Sequence, residues 1–372
     1  MNIQQEEEEE EEEEIEEDMT VEQHRVDSNM NTKLAVFCLL LANTLAAPTS
    51  DDDKVVIDKD FFIDEISVYT AEHDIVSIMV PLNALNFEDN SDDEETDSDV
   101  IAFFVLADIN NGVKDYKGLY MLKAGQAIKL LDQGTDAIAA NDDTKNAYFS
   151  AKDGIYVYNG QENKTEKYGT ITDNLIGIVK ENGTGVIYVI TNDHVLYKVT
   201  EEGTKKEKVD NVIDAQEIVL DFSNNLYYYG ADKKPYVLTS DGKKEITGLP
   251  ENPSSVKLIR PPFIIEDGVP FLVDDKLYVI YANGTSEITE FEVQTKPTAY
   301  APEATLIQYY AYNKKIYEYN LLALLIGELL NELKEFLEEK NDAIQSIATR
   351  ARTDLKAGDM SKLSVTGTTN TI

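Results

Sequence analysis

Leu175-Ile-Gly-Ile-Val179, Glu181-Asn-Gly183, Val186-Ile-Tyr-Val-Ile190, Thr191-Asn-Asp-His194, Val195-Leu-Tyr-Lys-Val-Thr200 and Glu201-Glu-Gly203 follow one another along a single stretch, which the polar run Lys205–Val209 completes. Short β-branched and aromatic segments bounded by Gly, Asn and Asp are the signature of strands joined by hairpin turns. The first segment is wholly apolar and the fourth is charged. Four antiparallel strands ordered from a buried edge to a solvated edge account for that gradient.

The pattern recurs along the chain. Its most regular feature is an aliphatic residue followed by Tyr and further apolar residues: Gly118-Leu-Tyr120, Gly154-Ile-Tyr156, Val195-Leu-Tyr197, Pro235-Tyr236, Lys276-Leu-Tyr278 and Lys315-Ile-Tyr317. The tyrosines are 36, 41, 39, 42 and 39 residues apart. Six copies at that period, each holding four short strands, predict an all-β fold, a six-bladed β-propeller with four-stranded blades. Asn146–Phe149, Asn225–Tyr229, Pro270–Val273 and Gln308–Tyr312 fill the second-strand position in other copies. The last copy has no fourth strand of its own, whereas Phe61–Tyr69 is a surplus strand ahead of the first. An N-terminal strand that closes the last blade resolves both irregularities and removes two free sheet edges.

Outside the repeats the composition changes. Residues 1–29 hold the uninterrupted run Glu6–Glu14 and read as a disordered acidic leader. Residues 30–46 have the grammar of a signal peptide: Met30-Asn-Thr-Lys33, the apolar run Leu34–Ala42 and small residues near Ala46. Either translation starts at Met30, or the acidic leader precedes a buried apolar helix. The signal-peptide reading predicts a secreted, extracellular protein. Residues 47–60 then form a flexible linker and 61–320 the propeller. Leu322, Ile326, Leu329, Leu333 and Phe336 predict an amphipathic helix over 321–356, which folds back on the propeller, mediates self-association or derives from a fused foreign exon. Residues 357–372 read as a disordered tail, and the acidic insertion Glu88–Asp99 as a solvated loop.

The chain has 71 acidic and 33 basic residues, a net charge of −38, three histidines and one cysteine, Cys38. So acidic a chain is a poor partner for nucleic acid or anionic membranes. It shows no GxSxG, HExxH or P-loop motif and no Cys/His cluster, so no cofactor or metal is expected and an enzyme is not the first reading. Asn163, Asn182 and Asn283 head glycosylation sequons.

The secretory leader, the Asp/Asn-rich loops and the units Lys152-Asp-Gly-Ile-Tyr156-Val-Tyr158 and Asp193-His-Val-Leu-Tyr197 resemble the ommochrome-binding proteins of lepidopteran haemolymph, over roughly residues 60–320. That resemblance implies a carrier for tryptophan-derived pigments or their precursors. The acidic leader, the insertion and the helical tail depart from it.

Three functions follow as expectations. The first is a carrier of a small aromatic, anionic ligand held at the propeller axis. The second is an extracellular protein-interaction propeller. The third is a metal-dependent lactonase- or esterase-like hydrolase, with Asp136, Asp173, Asn174, Asp214 and Gln216 as ligand candidates. For the carrier, Arg260 is the centre of the predicted site. Among residues 47–349 it is the single arginine, in the expected first strand of the fifth blade. A guanidinium grips a carboxylate through two parallel hydrogen bonds. Lys257 supplies a second cation, and Asn174, Gln216 and Asp136 polar edges. The competing expectation is that Arg260 pairs with an acid such as Glu266 and holds a loop.

Overall fold

The computed structural model describes residues 55–81, 102–302 and 307–320, apart from 124, 141–145, 160–161, 163, 263–264 and 266. The acidic leader, the signal peptide, the insertion, the C-terminal helix and tail, Asn163 and Glu266 lie outside the described residues.

Twenty-five strands form six sheets around a common axis. Blade 1 is β3 (Asp74–Met79), β4 (Ala102–Asn110), β5 (Val113–Lys123) and β6 (Gln126–Leu131). Blade 2 is β7 (Gly134–Ala139), β8 (Ala147–Ala151), β9 (Gly154–Asn159) and β10 (Lys164–Lys167). Blade 3 is β11 (Leu175–Lys180), β12 (Ile187–Thr191), β13 (Leu196–Thr200) and β14 (Lys205–Lys208). Blade 4 is β15 (Glu217–Leu220), β16 (Leu226–Tyr229), β17 (Pro235–Thr239) and β18 (Gly242–Glu245). Blade 5 is β19 (Val256–Leu258), β20 (Gly268–Val273), β21 (Lys276–Tyr281) and β22 (Ser286–Val293). Blade 6 is β23 (Ala299–Ala301), β24 (Ile307–Tyr312) and β25 (Lys315–Asn320), and β2 (Ser67–Thr70) completes it antiparallel to β25. The six-bladed fold with N-terminal closure is therefore the observed one. All six repeat tyrosines fall on third strands.

The closing strand is shorter than Phe61–Tyr69. Lys59–Phe61 and Asp64–Ile66 are single 3₁₀ turns, and the extended part starts at Ser67. The segment read as a linker also does more than connect. Val55–Ile57 forms β1, which pairs parallel to β22 and makes blade 5 five-stranded. One N-terminal stretch thus joins blade 5, then blade 6, then enters blade 1. Aromatic stacking reinforces it: Phe61 lies on Tyr319 at 4.4 Å and Phe62 on Tyr312 at 4.5 Å between ring centroids. The Tyr319 hydroxyl donates to the Phe61 carbonyl, and Lys315 Nζ donates to Asp64 Oδ1 at 2.6 Å.

The core lies between blades rather than in one mass. Strand β4 shows why. Along it Ala102, Phe104 and Leu106 face the cluster shared with blade 6, while Phe103 and Val105 face the one shared with blade 2. Period-two alternation sends successive side chains to opposite faces, and both faces here are covered. Inner strands therefore read as continuous apolar runs. Further clusters join blades 2 and 3, 3 and 4, and 4 and 5. Gly154, two residues before Tyr156, has φ +126°, and a Cβ there would collide with the Ile171 carbonyl. The blade 2 copy of the repeat needs glycine for that reason.

Candidate functional site

Each innermost strand enters at one end of the axis, here called the upper end, and leaves at the lower end. Side chains near the starts of β7, β15 and β19 supply the upper end with Asp136, Glu217 and Lys257. Arg260 follows β19 and reaches across.

Arg260 crosses the axis. Its Nη2 donates to the Ala137 carbonyl at 2.6 Å and to Asp136 Oδ1 at 3.3 Å, and its Nη1 to the Ile78 carbonyl at 3.2 Å. Blade 5 is thereby tied to blades 1 and 2 on the far side. Asp136 is a shared acceptor. Its Oδ1 also takes Ser77 Oγ at 2.7 Å and the Ala137 amide at 2.9 Å, and its Oδ2 takes the Ile178 amide at 3.3 Å. Among the described residues the arginine pairs with Asp136; the Glu266 of the competing reading lies outside them. The bond is a crossbar through the ring, with both side chains largely buried at 16% and 21% exposure.

Above the crossbar sit Glu217 and Lys257. Glu217 Oε2 accepts the Leu258 amide at 2.9 Å, which spans the seam between blades 4 and 5. Lys257 Nζ donates to the Thr298 carbonyl at 2.9 Å, spanning the next seam. Both side chains are enclosed by protein yet keep part of their surface open, as expected of groups lining a channel. Burial pushes the Glu217 carboxyl up, opposed by the Lys257 charge and the Leu258 amide. Burial pushes the Lys257 ammonium down, opposed by Glu217. Lys114, near the end of the long β4–β5 hairpin, acts electrostatically on both, so that hairpin bears on the mouth of the axis. Tyr116, on the same strand, is raised to about 12 by burial and by the charge of Asp136. Burial and Glu217 likewise raise Tyr229.

Below the crossbar a cavity of about 40 Å³ is lined by Met79, Ile138, Val179, Leu220, Asp221 and Arg260, among others. It has room for roughly three water molecules at 10–15 Å³ each. Asp221, buried beside it, accepts from the Asn225 amide and Nδ2, both at 2.8 Å, and from the Tyr227 hydroxyl at 3.2 Å.

The remaining predicted residues are elsewhere. Asn174 is exposed in the loop before β11, where its carbonyl takes the Asn192 amide. Gln216 turns its amide onto the Asp214 carbonyl and carboxylate at 3.2 and 3.1 Å. Asp173 receives Lys206 Nζ at 2.7 Å, at the outer strand of blade 3. The structure thus brings Asp136, Lys257 and Arg260 together at the axis, and Asn174 and Gln216 show no contact with them. Glu217, Ser77 and Lys114 were missed by sequence reasoning. Glu217 adjoins the predicted Gln216, and the alternation of β15 is the signal that distinguishes them. Among the described residues no group of three or more His, Cys, Asp or Glu is placed to hold a metal ion. None of the helices among them is long and apolar enough to cross a membrane.

Of the sequons, Asn283 is exposed in the turn from β21 to β22. Asn182 is half-buried, its Nδ2 donating to the Phe222 carbonyl at 3.2 Å and its amide to Asn224 Oδ1 at 2.7 Å.

No family model matches the chain, and no curated protein matches it. Among solved structures, the WD40 repeats of RRP9 are 11% identical over 66% of this chain and 75% of theirs, with a TM-score of 0.44. U3-55K is 11% identical over 66% of this chain and 76% of its own, also at 0.44. PorZ, an essential bacterial surface component of the type-IX secretion system of Porphyromonas gingivalis, is 10% identical at a TM-score of 0.41. The match covers 67% of this chain but spans only 37% of PorZ. Likenesses at this level add nothing to the fold that the strand pairing shows.

Proposed function

We propose that the protein is a secreted binding propeller that carries a small aromatic ligand bearing a carboxylate at the upper end of its axis. The resemblance in its repeat units points to the tryptophan-derived pigments and their precursors. The observation that carries this reading is the charge balance at the axis. Among the described residues, Lys257, Lys114 and Arg260 face Glu217 and Asp136, a local excess of cation inside a chain of net charge −38. An anion repelled by the rest of the surface is accepted there.

Lys257, rather than Arg260, is the partner for the carboxylate. Arg260 is committed to Asp136 and to two carbonyls. An ammonium has three donors, and among the described residues Lys257 has one hydrogen bond, to Thr298. Calorimetric titration with L-kynurenine tests the reading: binding at one site per chain is expected. Lys257→Met should weaken it by about 10- to 100-fold, the scale of a charged hydrogen bond. No heat of binding with kynurenine or with the oxidised pigment would overturn the proposal. Asn283 is the preferred glycan acceptor, since a glycan on Asn182 would break the tie to Phe222. Glycopeptide mass spectrometry of secreted material should find Asn283 occupied and Asn182 bare.

A specific observation also favours the protein-interaction reading. The β4–β5 hairpin projects beyond its neighbours with Val113 70% exposed, and Ile213, in the loop leading into β15, is 78% exposed. A partner held through that end would be lost on Val113→Asp.

A further inference from the structure

Glu217 is costly for a site meant only for an anion. Its carboxylate opens the innermost strand of blade 4, is enclosed by protein, accepts the Leu258 amide at 2.9 Å and faces the Tyr229 hydroxyl. Among the described residues neither Glu217 nor Lys257 has an ion-pair partner within 4 Å. Glu217 is turned to the seam between blades 4 and 5, while Lys257 is held by Thr298 at the seam between blades 5 and 6. Neither charge is therefore cancelled by direct contact with the other. A plain carboxylate ligand would be drawn to Lys257 and repelled by Glu217. A ligand with an ammonium next to its carboxylate is attracted by both ends of the arrangement.

We infer that the axial site reads a zwitterionic head group, the ammonium and carboxylate of an α-amino acid, with Glu217 taking the ammonium and Lys257 the carboxylate. This rests on the carrier reading and assigns the ligand's charged end. Desolvation works in the same direction. Burial disfavours both charges, raising Glu217 and lowering Lys257. A ligand supplying the opposite charge to each relieves that cost, as buried charges require pairing. Arg260 and Asp136 close the floor of the site and already pair with each other, so they add no net charge of their own. Lys114 stands at the mouth and favours entry of the carboxylate.

The experiment compares three ligands that differ only in the head group: L-kynurenine, its desamino analogue, which keeps the carboxylate, and kynuramine, which keeps the ammonium. On the full-length secreted protein, calorimetry should show both analogues binding at least tenfold more weakly than the amino acid. Glu217→Gln should weaken kynurenine and tighten the desamino acid, which loses a repulsion, so that the two converge. Lys257→Met should do the converse for kynuramine. If the desamino acid binds wild type as tightly as kynurenine, the inference is overturned and the carrier reading stands. If none of the three binds, the carrier reading falls and this inference with it. Should Glu217→Gln fail to fold by circular dichroism, the three-ligand comparison on wild type still decides.

Discussion

At the scale of single residues, Asp136 is an acceptor shared between blades. It accepts from Ser77, Ala137, Ile178 and Arg260, so blades 1, 2, 3 and 5 converge on one carboxylate. Removing it leaves a buried guanidinium short of a partner and takes the acceptor from a hydroxyl and two amides. Asp136→Ala should cost about 2–4 kcal/mol in urea unfolding, less than a fully buried ion pair because both side chains keep some solvent contact. Arg260→Ala should be felt in stability as well, which a residue held in reserve for ligand would not be. Glu217 makes the opposite contribution. Its folded value is raised, so its contribution to stability is present below the ordinary glutamate range and is lost as pH rises through the raised value. Glu217→Gln should therefore gain stability relative to wild type as pH rises above the ordinary glutamate range, measured by urea midpoints. Lys257, Lys114, Asp136 and Tyr229 face this carboxyl and temper the size of the gain. Sequence showed the arginine because it stands alone among 47–349, and Lys257 because it is three residues away. It did not show that the arginine spans the ring, since a contact between residues 124 positions apart leaves no local pattern.

At the scale of strands, the repeat tyrosine and the outer strand form a unit. Lys129 lies over Tyr120 at 5.8 Å, Lys167 over Tyr156 at 4.5 Å, Lys206 over Tyr197 at 4.4 Å and Lys243 over Tyr236 at 4.0 Å. Four blades thus cover the ring on the third strand with a cation from the fourth. The same lysines charge the outer edges, which discourages pairing with another sheet. This explains why the repeat was legible: the tyrosine is tied to the blade's periodic geometry and not to a site. In blade 5 the fourth strand is covered by β1, and in blade 6 the fourth strand is β2, supplied by the N-terminal stretch. β1 itself escaped detection because three residues with no alternation are too few to register as a strand. The clasp relies on aromatics more than on hydrogen bonds. Phe62→Ala should cost about 3 kcal/mol, as large buried aromatic truncations do, and chemical denaturation would read it. A loss below a quarter of that would mean that the turns of residues 59–66 are not anchored.

The whole molecule is a ring whose ends are fastened by one short stretch. Deleting residues 1–72 should remove β1 and β2 together, exposing β22 and β25 as edges, and the transition should broaden and shift to lower urea. Retention of the parent midpoint and slope would show that closure is not needed. The fastening also has a history in time. Thr70 pairs with Lys315, 245 positions further along the chain. A nascent chain growing at about 5–20 residues per second must wait about 10–50 s between making β2 and making its partner. Throughout that interval the strand leaves the ribosome with no sheet to join, while blades 1 to 5 form from local hairpins behind it. The charged residues flanking it, Asp64, Glu65 and Glu72, are then useful before the fold exists, keeping a waiting strand soluble until the last blade arrives.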